Sequence, residues 1–500
     1  MGDNTGQLLE NPLKPLPPHR WNRGAAVHLL NRAGFGGTPE EIERFTAMGL
    51  NAAVKELIHP EQVPYDAPSP SWVRIAEEQA GVPASRLTPE QRVARRQAEA
   101  QRLADLRAWW IERMIHSPRP LEEKMTLFWH SHFATQADKV ASPLLMYRQN
   151  ELLRRHALDF LGVLVLAVSR DPAMVRFLDL ETSQKDRPND NFSRELMELY
   201  TLGEGNYSEM DVREAARAFT GATINEGRYH FDETRHDHGV KTVLGRAGEW
   251  NGQDIINILL EQEAMQRFVP RKLVEFFAHP DPGADVLDAL GARFHEVYYD
   301  VRELLSALFM SEWFYAPKTR QARIKSPVEY VVGAYRQFAV ERPSPTVTAL
   351  ALRRMGQDLF NPPDVDGWKE GAAWINTHTM MMRYHFARFF TTGEIVEGLR
   401  ERAGDAYGRD GEPEAHASLV QARSLIDALD YRRPERCADA LAQRMYRRAF
   451  APDERMKWVE YLQTSSSGAT VLFNLNNRMS VGRVNSAAYL MMCSPEYQVC

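Results

Sequence analysis

The sequence predicts an all-α protein with at most one small β-hairpin, near residues 223–245. Apolar residues recur every three to four positions in nearly every amphipathic segment, which is the helical period. Helix start and stop signals flank several of these segments. Short runs typical of strands occur at 228–231 and 241–244, on either side of a polar connection. We therefore expect more than about half of the residues in helices and strand content well under about 15 %.

The first helices can be placed from local signals. Periodic apolar spacing begins near Trp21, after a proline-rich stretch. Thr38, Pro39 and Glu41 form the start of a capping box, and Gly49 ends that helix. A long amphipathic helix is predicted over 89–115, and similar patterns predict helices over 121–133, 146–166, 192–202, 211–219, 253–260, 301–310 and 327–340.

The 500 residues exceed the size of one ordinary hydrophobic core. We predict an extended proline-rich lead-in over 1–20 and a main helical domain over 21–403. A Gly-, Asp- and Glu-rich linker is predicted at 404–414, followed by a C-terminal helical subdomain over 415–500.

Charge and cysteine content argue against several classes of protein. Lys and Arg total 61 against 67 Asp and Glu, which gives a net charge of −6 and no global field for nucleic acid. The cluster Arg92, Arg95, Arg96 and Arg102 alternates with Glu and Ala, so we interpret it as a solvated helix face. Three cysteines do not suggest a disulfide framework. Without a signal peptide or an 18-residue apolar run, we expect no membrane contact and a cytoplasmic location, with export by a partner left open.

Six motifs follow one another along the chain. They are HLLNRAGFG at 28–36, KMTLFWHSHF at 124–133, PNDNFSRELMEL at 188–199, AARAFTG at 215–221, KSPVE at 325–329 and GQDLF at 356–360. In this order they resemble the bacterial family named domain of unknown function 1800 (DUF1800). The resemblance implies a helical protein, often encoded beside a partner of a sulfatase-like (DUF1501-type) family. Asp190 stands where the family motif usually has Glu.

Two His-x-His pairs are the candidate metal ligands: His130 with His132, and His236 with His238. In an extended backbone this spacing turns both imidazoles to one face, whereas in a helix the rings diverge by about 200°. Helical carboxylates joined to such histidines form di-metal sites, so Glu195 is a fifth candidate. We expect at least three of these side chains to reach a common point.

Two further carboxylates, Glu198 and Asp237, are candidate proton acceptors. An alternative assigns Arg194, Glu195 and Glu198 to an ion-pair network that ties this helix to Arg213 or Arg217 of the next helix. The loop that starts at 356–363 and leads to 366–368 and 374–378 either lines a pocket or packs over the core. We also expect one core beneath the candidate site, comprising Trp129, Phe133, Phe192, Leu196, Leu199 and Phe219.

Three hypotheses for function remain open. The first is a metal-dependent oxidoreductase or hydrolase with a His/carboxylate site, its metal being iron, manganese, copper or zinc. The second is a non-catalytic helical scaffold or partner of a sulfatase-like protein. The third is a metal-free enzyme that acts on a saccharide or similar polar polymer through paired carboxylates.

Overall fold

The computed structural model describes residues 11–80, 86–394, 396, 399, 420, 430–465 and 467–500. Helices account for 62 % of the residues that the structure describes. Strands in the described ranges form two short antiparallel hairpins. The predicted all-α class is confirmed. The predicted linker at 404–414 lies outside the described residues.

Twelve α-helices precede the hairpins in the described ranges. They are α1 Arg23–Arg32, α2 Pro39–Met48, α3 Leu50–Ile58, α4 Val73–Gln79, α5 Pro89–His116, α6 Pro120–His132, α7 Ala137–Val140, α8 Pro143–Arg155, α9 Leu161–Ser169, α10 Pro172–Phe177, α11 Asn191–Glu195 and α12 Glu209–Ala218. A π-helical turn, Leu196–Thr201, continues α11.

Eleven more helices follow in the described ranges. They are α13 Gly252–Leu260, α14 Met265–Phe277, α15 Ala284–Glu296, α16 Val301–Met310, α17 Pro327–Gln337, α18 Pro345–Arg354, α19 Thr377–Thr392, α20 Pro434–Leu441, α21 Pro452–Leu462, α22 Arg478–Cys493 and α23 Pro495–Gln498. A second π-helical turn, Ala442–Tyr446, continues α20.

Side-chain caps explain where several helices begin. Thr38 accepts a hydrogen bond from the Glu41 backbone, and the Glu41 carboxylate accepts one from the Thr38 backbone. These reciprocal bonds satisfy two backbone donors that a helix start otherwise leaves without partners. The predicted helix start at Thr38 is therefore confirmed, and Gly49 ends α2 with a positive φ of 80°.

The segment predicted as one helix over 146–166 is divided in two. α8 ends at Arg155 and α9 begins at Leu161. Between them Phe160 forms an isolated β-bridge with Asp300, and the Leu161 amide donates to the Tyr299 carbonyl at 2.9 Å. A tertiary contact thus takes the backbone hydrogen bonds that a continuous helix would have used.

The strands also differ from the prediction. The two predicted strands do not pair with each other. Instead, each belongs to its own hairpin: β1 Ala222–Asn225 pairs with β2 Arg228–Phe231, and β3 Lys241–Val243 pairs with β4 Arg246–Gly248.

Local turn geometry explains this pairing. Glu226 and Gly227 have φ values of 50° and 70°, and Leu244 and Gly245 have φ values of 48° and 78°. Two successive positive φ values are the signature of a two-residue type I′ turn, which joins neighbouring strands directly. Each strand therefore pairs with the nearest segment rather than across the polar connection.

The predicted core beneath the candidate site is confirmed. Trp129, Phe133, Phe192, Leu196 and Phe219 are buried in one apolar cluster, with the partly buried Leu199 packed against it.

Buried residues of the C-terminal helices belong to the same cluster. The Tyr330 hydroxyl on α17 donates to the Met492 carbonyl of α22 at 3.3 Å, which ties the two parts of the chain together. A search for a membrane-crossing helix finds none in the described ranges, since each helix is too short or too polar.

Candidate functional site

His130 lies in the last turn of α6 and is almost completely buried. Its ring packs against Trp110, Phe360 and Trp368, with centroid distances of 5.4, 5.4 and 5.5 Å. The Nε2 atom accepts a hydrogen bond from the Phe360 backbone amide at 3.2 Å. Burial lowers the pKa of His130 to about 3, so the ring is neutral near pH 7. The Nε2 lone pair therefore already has a partner.

His132 lies two residues further along the same helix and faces a different environment. Its Nε2 donates to the Tyr200 carbonyl at 3.1 Å, and its ring packs against Phe133 and Tyr200. Burial, followed by the charge of Lys272, lowers its pKa well below the ordinary value. Nδ1 is buried and has no hydrogen-bond partner among the described residues.

His236 and His238 lie close together beside the first hairpin, with ring centroids 4.9 Å apart. The buried His236 donates from Nδ1 to the Thr220 carbonyl at 2.9 Å. His238 is 60 % exposed and lies 3.6 Å from the Glu233 carboxylate. His236 is therefore held by the backbone, whereas His238 faces solvent.

Asp237, predicted as a proton acceptor, holds the backbone of this segment. Its carboxylate accepts hydrogen bonds from Arg217 Nε at 2.7 Å and from the Gly239 amide at 2.8 Å. Burial alone would raise the pKa of Asp237, but the Arg217 hydrogen bond and the Gly239 amide outweigh it and lower the pKa. A carboxylate stabilised in its ionised form is a weak base, so the contacts favour a structural role.

The predicted common metal centre is not formed by these side chains. In the described part of the chain, no three His, Cys, Asp or Glu residues are grouped so that they could hold a metal ion. α6 continues through His132, so the rings of His130 and His132 diverge, as the helical alternative requires. His236 is anchored to Thr220, and its partners are backbone groups rather than orienting carboxylates. Glu195 interacts with Glu198, Arg194 and Asp366 rather than with these histidines.

Glu195 ends α11 where the π-helical turn begins, and it is half-buried. Burial, then the Glu198 charge, raises the pKa of Glu195; Asp366 adds to this and Arg194 opposes it. Glu198 accepts a hydrogen bond from the Tyr207 hydroxyl at 2.9 Å. π-helical turns often occur at functional sites, where the extra residue redirects side chains.

The predicted ion pairs to Arg213 or Arg217 are replaced by others. Arg194 pairs with Glu209 at 2.7 Å and with Asp190 at 3.1 Å. Arg217 pairs with Asp237 and Glu214. The carboxylate of Glu195 is consequently left facing its acidic neighbours.

Lys272 and Asp366 belong to the same charged cluster. The sequence placed Asp366 in the continuation of the candidate loop without assigning it a role, and Lys272 was not predicted. The partly buried Lys272 donates from Nζ to the Leu199 carbonyl at 3.0 Å. Burial lowers the pKa of Lys272, with Asp366 and Glu275 opposing the shift. The signal that could have drawn attention to Asp366 is the adjoining Gly367. Its φ is 80°, and a Cβ there would lie 2.2 Å from the Ser131 carbonyl oxygen.

A cleft with a volume of about 710 Å³ opens along α5. Its other walls come from α4, α7, the start of α8, α10, the turn of the first hairpin, α18 and the loop after α18. Seven arginines line it: Arg92, Arg95, Arg96, Arg102, Arg107, Arg176 and Arg353. Three acidic residues do so too: Glu99, Asp138 and Asp358. We call this the arginine cleft.

The arginine cleft corrects one interpretation of the sequence. The run from Arg92 to Arg102 is indeed largely solvent-exposed, but it faces a concavity rather than open solvent. Asp358 and Asn361 come from the loop at 356–363, so that loop lines a pocket while its Phe360 packs in the core. Helical periodicity cannot distinguish an arginine face that lines a cleft from one that faces open solvent, because the opposite wall of the cleft comes from distant parts of the chain.

Comparison with known proteins gives one match. A family model described as protein of unknown function (DUF1800) matches residues 28–499. No curated protein and no solved structure matches the chain significantly.

Proposed function

Because the chain belongs to the DUF1800 family, whose description names no activity, we propose from the geometry that the protein binds a small organic anion in the arginine cleft. The observation that carries this proposal is the composition of the cleft, where seven arginines face three acidic side chains. Among these described lining residues, Arg95 and Arg102 share Glu99 and Arg107 pairs with Asp358. A ligand carrying several negative charges would add to this charge compensation across the cleft.

Arginine is suited to recognising such a ligand. Its guanidinium group stays charged at any physiological pH and offers paired donors that match carboxylate and phosphate oxygens. Charges of one sign in a cleft with low-dielectric walls reinforce one another and attract counter-charged ligands. The protein carries a net charge of −6. A positive cleft on a negative molecule therefore supports local, selective anion binding.

The volume of the cleft and the side chains in its walls indicate which chemical class of ligand it suits. A volume of about 710 Å³ falls within the usual range of roughly 300 to 1,000 Å³ for small-molecule sites. Leu87, Leu103, Leu144 and Leu145 supply apolar surface between the arginines. These features favour an anion with an apolar portion, such as a phosphorylated or polycarboxylated metabolite, over a nucleic-acid duplex.

Charge reversal in the cleft tests the proposal. The probes are ATP and citrate, titrated into the full-length protein by isothermal calorimetry. We expect saturable binding of at least one probe, weakened at least tenfold in Arg96→Glu/Arg353→Glu. The control, Arg74→Glu/Lys457→Glu, changes the net charge equally at exposed positions outside the cleft lining and should bind as the wild type does. Equal weakening in both variants, or no saturable binding, would overturn the proposal.

A second candidate function, proton transfer, rests on one observation at Glu195. The pKa of this carboxyl group is raised while that of Lys272 is lowered, and Asp366 influences both. Opposite shifts of this kind bring an acid and a base closer to neutral pH, as general acid–base chemistry requires. The third hypothesis, a metal-free enzyme with paired carboxylates, draws its support from this cluster.

Carbon-13 NMR titration of labelled glutamate tests this candidate. The Glu195 carboxyl resonance, assigned by its loss in Glu195→Gln, should titrate above the ordinary pKa of 4.5. A midpoint at or below that value would remove the candidate. The sulfatase-like partner implied by the family resemblance stays a prediction, which co-purification of the two proteins would test.

A further inference from the structure

A second, smaller cavity shares no lining residue with the arginine cleft. It has a volume of about 180 Å³ and is enclosed by α1, the start of α2, the end of α17 and the α20 region. Three arginines line it: Arg23, Arg444 and Arg447. The other polar side chains in its wall are Asn31, Gln337 and Gln443, and no described lining residue is acidic.

The backbone at Arg447 holds that side chain in an unusual position. The π-helical turn Ala442–Tyr446 ends at Arg447, whose φ of 62° lies in the left-handed region. A non-glycine residue in this region is strained, so surrounding contacts must hold it there. With the Gln337 amide oriented to satisfy its neighbours, its oxygen accepts from Arg447 Nε at 3.1 Å and Nη2 at 2.7 Å.

The same glutamine links the arginines. Arg444 donates from Nη1 to the Gln337 carbonyl at 3.2 Å. The Gln337 side chain also contacts the buried Tyr497 hydroxyl at 2.8 Å. Both guanidinium groups are thus positioned by Gln337 through neutral oxygen atoms. The opposite charges that act on them, from Glu40 at Arg444 and from Glu329 and Cys500 at Arg447, belong to residues outside the cavity wall.

Nearby acidic groups lie outside the cavity wall. Glu43 accepts a hydrogen bond from Arg23 at 3.0 Å, and Glu40 interacts with Arg444. Burial lowers the pKa of Arg444 and Arg447, which expresses the cost of holding these cations away from water. Arg32, fully buried nearby, adds to the positive field and has two guanidinium nitrogens without hydrogen-bond partners in the described structure.

We propose that this cavity is a binding site for a compact oxyanion, of the phosphate or sulfate type, recognised by Arg444 and Arg447 with Arg23 at its edge. Such an ion is small enough for the cavity, and its oxygens match guanidinium donors. Arg444 and Arg447 are the recognition groups, and Gln337 is a positioning residue. The site is independent of the arginine cleft, since the two are built from different elements.

The test uses inorganic phosphate and sulfate as probes on the full-length protein, by calorimetry and by thermal unfolding. We expect saturable binding with an accompanying rise in Tm. Binding should weaken about tenfold in Arg444→Gln, because a charge-assisted hydrogen bond is lost. Arg448→Gln, the neighbouring exposed position outside the cavity lining, should bind as the wild type does.

Two controls keep the result interpretable. If Arg444→Gln fails to fold, Arg23→Gln at the edge of the cavity replaces it and should also weaken binding. The cleft variant Arg96→Glu/Arg353→Glu should retain phosphate binding at this site, which separates the two proposals. Absence of saturable binding of either ion to the wild type, or unchanged affinity in both cavity variants, would overturn the inference.

Discussion

Arg107 on α5 and Asp358 in the loop after α18 form an ion pair in the wall of the arginine cleft, with Nη2 2.9 Å from Oδ2. Arg107 also donates from Nε to the Leu359 carbonyl at 3.0 Å. The pair joins residues 251 positions apart and holds the loop against the helix. It also places one of the three carboxylates of the cleft beside the position proposed for an anion.

Removing that carboxylate should tighten anion binding. In Asp358→Asn the amide keeps a hydrogen-bond acceptor for Arg107 but no longer repels the ligand. A unit charge about 4 Å away contributes about 1 kcal/mol when water screens it fully, so we expect the calorimetric Kd for the anion to fall at least about fivefold at pH 7.5. Asp453→Asn, on exposed α21, is the control and should leave the Kd unchanged. Weaker binding in Asp358→Asn would contradict the proposed position of the ligand.

We expect the unfolding free energy of the protein to depend on pH through Asp171. It caps α10 through the Met174 amide at 2.9 Å and accepts a hydrogen bond from Gln149 at 2.8 Å. Burial raises the pKa of Asp171 from 3.8 to about 7, with these hydrogen bonds opposing the shift. The folded state therefore binds the proton more tightly than the unfolded state. The stability that protonated Asp171 contributes is therefore fully present below about pH 4 and is lost as the pH rises to about 7.

Urea denaturation of the wild type and Asp171→Asn between pH 4 and 8 measures this contribution. The amide in the variant can keep the two hydrogen bonds but cannot titrate. The wild type should lose unfolding free energy relative to the variant as the pH rises. All other titrating groups are common to both proteins, so parallel pH profiles would show that Asp171 does not titrate in this range.

Glu329 is the centre of a buried charge cluster. Its carboxylate accepts from Lys124 Nζ at 2.5 Å and from Arg323 Nη1 at 3.1 Å, and all three side chains are almost inaccessible to solvent. Glu329→Gln would leave two buried cations without their shared counter-charge. We expect a loss of about 3 to 5 kcal/mol in unfolding free energy, measured by chemical denaturation.

The matched control for Glu329 is Glu296→Gln, which breaks a surface ion pair with Arg293 at 2.9 Å. Because Glu296 is 70 % exposed, water replaces the lost interaction and the expected change is within about 1 kcal/mol. Similar losses in the two variants would mean that the buried cluster contributes no more than a surface pair.

Leu196 tests the packing beneath the carboxylate cluster. The side chain is fully buried in the main core, so Leu196→Ala should reduce the unfolding free energy by about 2 to 5 kcal/mol. Leu490→Ala, at a position that is 43 % exposed, removes the same atoms from the surface and should cost much less. Equal Tm values for Leu196→Ala and the wild type would contradict close packing at this position.

The sequence alone determined the helical class and the start of several helices, because the interactions responsible are local. A capping box such as Thr38 with Glu41 lies within a single turn, and apolar periodicity identifies the buried face of a helix. The same local information placed Leu196 in the core and Glu195 at its edge.

Tertiary structure decided the surroundings of each candidate functional residue. His130 is held by Phe360, 230 positions away in the chain, and this contact occupies the Nε2 atom of a ring that the sequence had proposed as a metal ligand. α9 begins where Phe160 bridges Asp300. The arginines of α5 line a cleft because residues of α10 and α18 stand opposite them. Sequence periodicity reports which face of a helix is buried, but not which distant segment packs against it, and that segment determines the chemistry available at a site.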